Sequence, residues 1–202
     1  MTMRERMAAG KLFTDESEGL PEERIAAKRK VKEFNDSDPG DPELRASLLR
    51  DMLGKAENIL VESPFYVCYG THIFVGEGSF INFNCNFLDD GPIHIGKNVL
   101  IGPAVSIATA GHPVCPELRE YIYTAPVTIG DNCWIGMNVT ICPGVTIGKN
   151  SVIGAGSVVV KDIPEDTVAA GNPCKVVRRI SERDRQYYFR DRMTEGKERT
   201  DE

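Results

Sequence analysis

The sequence predicts a mostly β fold: a parallel β-helix built from hexapeptide repeats, with an N-terminal helical cap, a protruding loop and a short C-terminal helical tail. Three observations carry that prediction. From Val127 the chain reads VTIGDN, CWIGMN, VTICPG, VTIGKN, SVIGAG and SVVVKD, a six-residue period. Small or β-branched residues recur at Val127, Cys133, Val139, Val145, Ser151 and Ser157, and large aliphatics at Ile129, Ile135, Ile141, Ile147, Ile153 and Val159. No single helix or hairpin has that period. A coil of short parallel strands that turns a corner every six residues does, with Gly, Asn and Asp at the corners. Second, the phase extends upstream through Ile95, Ile101 and Ile107, and before them through Val75, Ile81 and Phe87, with a two-residue slip at Gly91-Pro92. Third, residues 1–57 lack the period and are dense in charge.

The elements follow in chain order. Residues 1–57 read as a helical cap, because the end of a coil exposes strand edges that need covering. A short helix is expected over about residues 3–12. Pro21-Glu22-Glu23 sets the backbone and the charge for a second helix, running to Phe34. The cluster Asn35 to Gly40 is a turn. Asp41-Pro42-Glu43 starts a third helix, with Leu44, Leu48, Leu49 and Met52 as its apolar stripe and Gly54 at its end. Residues 58–173 form the coil. Ile107 and Ile129 stand 22 residues apart, not a multiple of six, so an insertion over about 108–126 breaks the repeat. Insertions in repeat proteins form loops on one face, often the binding face. Residues 174–202 form a tail in which Lys175, Arg178, Arg179, Arg183, Arg185, Arg190 and Arg192 alternate with aromatic side chains, read as a solvated helix and disordered after about 193.

Composition excludes several classes. The 202 residues carry a net charge of −6, which argues against general nucleic-acid binding. No apolar run is long enough for a membrane-spanning helix, and the first residues lack a signal peptide's apolar region, so a cytoplasmic location is expected. The cysteines at 68, 85, 115, 133, 142 and 174 form no C-x-x-C pair, and neither a disulfide framework nor a zinc site is expected.

Three histidines narrow the search for chemistry. His94 lies between inward Ile93 and Ile95 and points outward. His72 also flanks a repeat aliphatic. His112 stands in the insertion between Gly111 and Pro113. A loop histidine on a rigid scaffold suits a general base near neutral pH, although from spacing alone such a residue is more often a bystander. Glu117, Glu120 or a backbone carbonyl could orient it. Asn82, Asn84 and Asn86 read either as corner residues or as amides for a sugar hydroxyl or an oxyanion. Asp89-Asp90 reads either as a pair of hydroxyl acceptors or as a solvated turn. Trp134 reads as packing. Met137 stands at a corner where most repeats carry Asn or Gly.

These segments resemble a known family. The hexapeptides, LDDGPIHIGKNVLIGP, the GHPV loop, PVTIGDNCWIG, CPGVTIGKNSVIGAGSVVVKDIP, and the N-terminal AGKLFTDESEGLPEERIAAKRKVKEFN together resemble the maltose and galactoside O-acetyltransferases, most nearly the galactoside branch. The resemblance implies a left-handed parallel β-helix, a homotrimer with sites between neighbouring coils, and metal-free acetyl transfer from acetyl-CoA to a sugar hydroxyl. It implies His112 as catalytic base and Asn82 as transition-state stabiliser and sugar contact. Asp15 and Asp90 match sugar-binding acids. Cys68 falls where galactoside enzymes have a serine that contacts sugar, and Met137 where they have a serine at the CoA cleft. Ala155, Val160 and Lys161 match the path of pantetheine and adenine, and Lys175 and Arg178 the basic pair near the phosphates. Lys175 replaces an arginine there, which keeps the charge and loses the fork. Rival readings are a zinc enzyme on the same coil, a non-catalytic structural module, and the same chemistry on an amino sugar, a lipo-oligosaccharide, an antibiotic or serine.

Overall fold

The structure is a computed structural model that describes residues 1–194. The repeat folds as three sheets that make the faces of one coil. The first face stacks Lys55–Ala56, Ile73–Val75, Ile93–Ile95, Val127–Ile129 and Thr146–Ile147. The second stacks Leu60–Val61, Phe80–Ile81, Leu100–Ile101, Trp134–Ile135, Val152–Ile153 and Thr167–Ala170, with Lys175–Arg179 at its edge. The third stacks Phe65–Val67, Cys85–Leu88, Ser106–Ala108, Thr140–Ile141 and Val158–Val159. Pairing within the faces is parallel, except that Lys175–Arg179 runs antiparallel to Thr167–Ala170.

The register explains the period. Val75, Ile95, Ile129 and Ile147 stack as Cα partners on the first face. Ile81, Ile101, Ile135 and Ile153 do so on the second, and Phe87, Ile107, Ile141 and Val159 on the third. All are buried, so each coil adds three apolar side chains to one continuous core. The small position stays small for a second reason. Its side chain faces the corner backbone of a neighbouring coil. Ser79 donates to the Gly96 carbonyl, Ser151 to the Pro164 carbonyl, and the Cys133 thiol to the Gly148 carbonyl. Left-handed backbone at the first two corners falls on Asn58, Asn84, Asn98, Asn132, Asn138, Asn150, Asp166, Gly78 and Gly156, residue types that tolerate it, and on Ala104, which does not favour it. Met137 precedes that position in its corner, in a column with Phe83, Pro103 and Ala155, so its side chain carries no backbone requirement.

Extra chain collects at the third corner, between the third and first faces. Val75 pairs with Ile95, 20 places on, while Ile129 pairs with Ile147, 18 places on. The difference is the slip seen at Gly91-Pro92. Ile95 to Ile129 is 34 places, and the surplus is the inserted loop at that same corner.

The cap comprises α1 (Met3–Ala8), α2 (Leu20–Asp36) and α3 (Pro42–Met52). Thr2 and Glu5 form a reciprocal capping box on α1, which ends earlier than residue 12. Val31, Phe34, Leu49 and Met52 complete the coil's core at its open end. On α3 the buried stripe differs from expectation. Leu44 is 44% exposed, and Arg45 is buried in its place. Its guanidinium lies over the Phe34 ring and donates to the Val61 carbonyl and to the hydroxyls of Ser37 and Ser63. A buried charge is stable where every donor finds a partner, which no hydropathy pattern encodes.

The tail is helical only over Arg183–Gln186, where a longer helix to about Arg192 was expected. Val176 and Val177 favour extended backbone, and Lys175–Arg179 closes the open edge of the last coil strand. Tyr187–Phe189 and Arg192–Met193 then form a hairpin. The expected disorder after about residue 193 lies almost wholly outside the described residues.

Candidate active site

The third corner gathers much of what the sequence nominates. The inserted loop leaves it through Ala110–Gly111 and returns through Tyr123–Thr124, which pair antiparallel. A Cβ on Gly111 would stand 2.5 Å from the Tyr123 hydroxyl oxygen, so glycine lets the Tyr123 ring lie against the loop backbone beside His112. The cap grips this loop. Phe13 and Ile122 exchange both backbone hydrogen bonds, at 3.0 and 2.8 Å, and the Thr124 hydroxyl donates to the Met7 carbonyl. Asp15, two residues past Phe13, is thereby carried to the side of the coil that bears the His112 loop.

The orientation of His112 is settled by backbone. Its Nδ1 lies 2.9 Å from the carbonyl oxygens of both Arg119 and Tyr121. A carbonyl only accepts, so Nδ1 carries the proton and Nε2 is left with its lone pair. Neither Glu117 nor Glu120 does this work; the Glu117 carboxylate accepts from the Cys115 thiol instead.

Below the loop, Cys68, Asp89 and Asp90 occupy consecutive turns of the same corner. The solvated-turn reading of Asp89-Asp90 is overturned, since both are buried. Burial, followed by the charge of Asp15, raises the Asp90 carboxyl above its ordinary value. Burial pushes the Cys68 thiol up to about 12, with the charges of Asp90 and Asp89 adding to it, so it stays a neutral thiol. Arg24, from the first turns of α2, forms an ion pair with Asp15 and also donates to its carbonyl oxygen at 2.8 Å and to the Tyr69 hydroxyl at 3.3 Å. Arg24 and Tyr69 carry no repeat or motif signal, and sequence reasoning missed both.

The remaining nominated residues lie elsewhere. Asn82, Met137 and Ala155 share the second corner, along a groove of about 590 Å³ with Trp134, Leu100 and Phe80. The Asn82 side-chain oxygen accepts from the Phe83 amide, which leaves its NH₂ as a donor. Trp134 is 55% exposed, so it lines the groove and does not pack inside. Its place between inward Cys133 and Ile135 was the available signal. No residue of the inserted loop lines this groove. Val160 and Lys161 belong to the third corner, one coil end away from Lys175 and Arg178 on the closing strand. Arg178 forms a two-pronged pair with Asp184, at 2.7 and 2.6 Å. Among the described residues no group of three His, Cys, Asp or Glu side chains is placed to hold a metal ion.

A capped parallel coil with a histidine-bearing loop defines a hexapeptide-repeat transferase. Residues 126–161 match the bacterial transferase hexapeptide (six repeats), and residues 6–57 the maltose acetyltransferase hexapeptide capping motif. The chain is 52% identical to the galactoside O-acetyltransferase of Escherichia coli K12 over 199 residues, 97% of this chain and 98% of the relative. A galactoside acetyltransferase solved in complex with coenzyme A superposes with a TM-score of 0.91 at 50% identity, covering 97% of this chain and all of that one. A maltose O-acetyltransferase from Clostridium difficile 630 gives 0.88 at 47% identity, covering 90% and 99%. The chain belongs to the maltose and galactoside O-acetyltransferase family, and its coil is the left-handed parallel β-helix of that family.

Proposed function

We propose that the protein is an enzyme that transfers an acetyl group from acetyl-CoA to a sugar hydroxyl, with His112 as general base. The observation that carries this reading is the His112 ring, held by two carbonyls with Nε2 free to accept a proton. It is supported by the family assignment and by a relative solved with coenzyme A. A sugar hydroxyl is a weak nucleophile until its proton is being withdrawn, and a positioned base contributes about 10²–10⁴-fold. His112 Nε2 takes that proton as the oxygen attacks the thioester carbonyl, then returns it to the departing thiolate or to solvent. Asp15, Cys68 and Asp90 hold the sugar. The free NH₂ of Asn82 meets the negative charge that develops on the carbonyl oxygen. Met137, Ala155, Val160 and Lys161 guide the pantetheine, and Lys175 and Arg178 face the phosphates.

These residues sit at two different corners of one chain, so a single coil displays two half-sites. A cyclic trimer whose third corner faces the second corner of the next copy joins His112 to Asn82 across each interface. The six cysteines are free thiols, as suits a reducing cytoplasm where acetyl-CoA is made.

The test is thiol release from acetyl-CoA with isopropyl-thiogalactoside, lactose, maltose, glucose, glucosamine, chloramphenicol and serine as acceptors. Release with a sugar, cut about 10²-fold or more in His112→Ala while acetyl-CoA binding holds, is the expected result. An unchanged rate in His112→Ala removes the base assignment. Release only with chloramphenicol or serine replaces the sugar by that acceptor.

A further inference from the structure

The most unusual buried group outside the chemistry just described is Asp89. It is wholly buried, and it joins two successive turns of the third corner. Its Oδ1 accepts from the backbone amides of Cys68 and Tyr69, at 2.8 and 2.9 Å. Its Oδ2 is buried with no partner. Its own carbonyl oxygen accepts from His72 Nδ1 at 2.7 Å. One carboxylate therefore ties the turn that carries Cys68 to the turn that carries Asp90, and steadies Tyr69, whose hydroxyl meets the Arg24 that holds Asp15. Cys68 and Asp90 are thus tied directly by this one side chain, and Asp15 is linked to it only through Arg24 and Tyr69.

We infer that Asp89 is a positioning residue for the acceptor: its ionised carboxylate fixes the 68–70 backbone, and through it the sugar-binding half of the site. This rests on the proposed function above.

The charge state matters because amides donate more strongly to a carboxylate than to a neutral acid. Groups facing Asp89 are His72, Cys68 and Tyr69 on the neighbouring turn, and Asp90 on its own. Arg24 and Asp15 from the cap stand next, around Asp90 and Cys68. Burial raises the Asp89 carboxyl to about 6, against the pull of the Tyr69 and Cys68 amides and of His72. The carboxylate is therefore present at pH 7.5 and is lost as pH falls through 6. As it is lost, the two amides keep only the weaker acceptor of a neutral acid, and the 68–70 turn is held less closely in place even though protonation relieves the cost of burying the charge. Acceptor binding should weaken with it, while the second-corner groove, built on other turns, is unaffected.

The experiment compares the full-length protein with Asp89→Ala and Asp89→Asn between pH 5.5 and 8. KM for the sugar, KM for acetyl-CoA and kcat are measured separately. Hydrogen exchange of the 66–72 peptide is followed in parallel. Asparagine keeps a side-chain oxygen for the amides and cannot ionise. Asp89→Ala should raise the sugar KM about 10-fold or more, keep the acetyl-CoA KM within about twofold, and speed exchange at 66–72. Asp89→Asn should restore most of the sugar KM at pH 7.5 and flatten its rise near pH 6. An Asp89→Asn variant with the wild-type pH profile would overturn the role of the charge. Equal rises in both KM values would reduce Asp89 to general stability. Should Asp89→Ala fail to fold, the Asp89→Asn profile alone decides. Should wild type acetylate no sugar, the functional reading fails by itself. Exchange at 66–72 that is unchanged from wild type in a folded Asp89→Ala then overturns the positioning role independently.

Discussion

Exchanging a hydroxyl for a thiol changes both the size and the polarity of a binding atom, and Cys68 makes that exchange where the family resemblance implies a serine. Its thiol is neutral at any working pH and is a weak donor and acceptor. Cys68→Ser should therefore lower KM for galactosides about 3–10-fold, the worth of one ordinary hydrogen bond, with kcat little changed. Steady-state kinetics with isopropyl-thiogalactoside reads this, and a raised KM would mean that the acceptor presents an apolar group there. Asp89 gives a second prediction at this scale. Its carboxyl titrates near 6 in the fold against an ordinary value of 3.8, so the folded chain binds the proton more tightly than the unfolded chain. Its contribution is thus greatest at low pH and declines as pH climbs from about 4 to about 6, after which the cost of the buried charge is constant. Denaturation midpoints at pH 4.5 and 7.5 should show a larger decline in wild type than in Asp89→Asn, where Asp90 still contributes its own.

Among the elements, the closing strand shows how a fold edge becomes part of a site. Lys175–Arg179 covers the last coil strand and at the same time sets Arg178 against Asp184. Arg178 holds the Asp184 carboxyl far below its ordinary value, first through their hydrogen bonds and then with help from the Ser181 amide. Asp184 thus offsets the positive charge that the proposed phosphate site uses. Asp184→Asn should lower KM for acetyl-CoA, most at low ionic strength, and the gain should fade by 0.5 M salt as screening sets in. A gain that persists at high salt would point to a conformational cause. α3 shows the limit of element-level reading. Its helix was legible from Asp41-Pro42, whereas the buried face was not, because Arg45 is stabilised by the Val61 carbonyl and two hydroxyls from distant parts of the chain.

For the whole molecule, the coil was legible because its cause is local. One inward aliphatic per face repeats every six residues, and the corner residues announce themselves by backbone tolerance. The hand of the coil was not legible in this way. Crossover sterics favour the right hand for strands joined through helices, and give no rule for corners this short. The candidate site was half legible. His112 stood out as the histidine of the insertion, while Arg24, Tyr69 and the burial of Asp89 arise where cap, loop and corner meet. The two half-sites make a prediction of their own. His112→Ala and Asn82→Ala should each be inactive. Unfolded together in equal amounts and refolded, they should recover about a quarter of the wild-type sites, since each interface draws one corner from each of two chains at random. No recovery, with mixed trimers shown by a tag on one chain, would mean that each site lies within a single chain.

The gathering of all surplus chain at one corner has a consequence for how such proteins diversify. A coil tolerates added length only where the addition leaves every ladder in step, and turns of 18, 20 and 34 residues coexist here without a break in the three aliphatic columns. The half of the site at that corner can therefore be rewritten by insertion and deletion, while the half built on the second corner cannot change without unzipping its neighbours. With the proposed division of the site, a changed loop length would alter the acceptor half and leave the donor half in place, so loop grafting between relatives is the natural route to new acceptors.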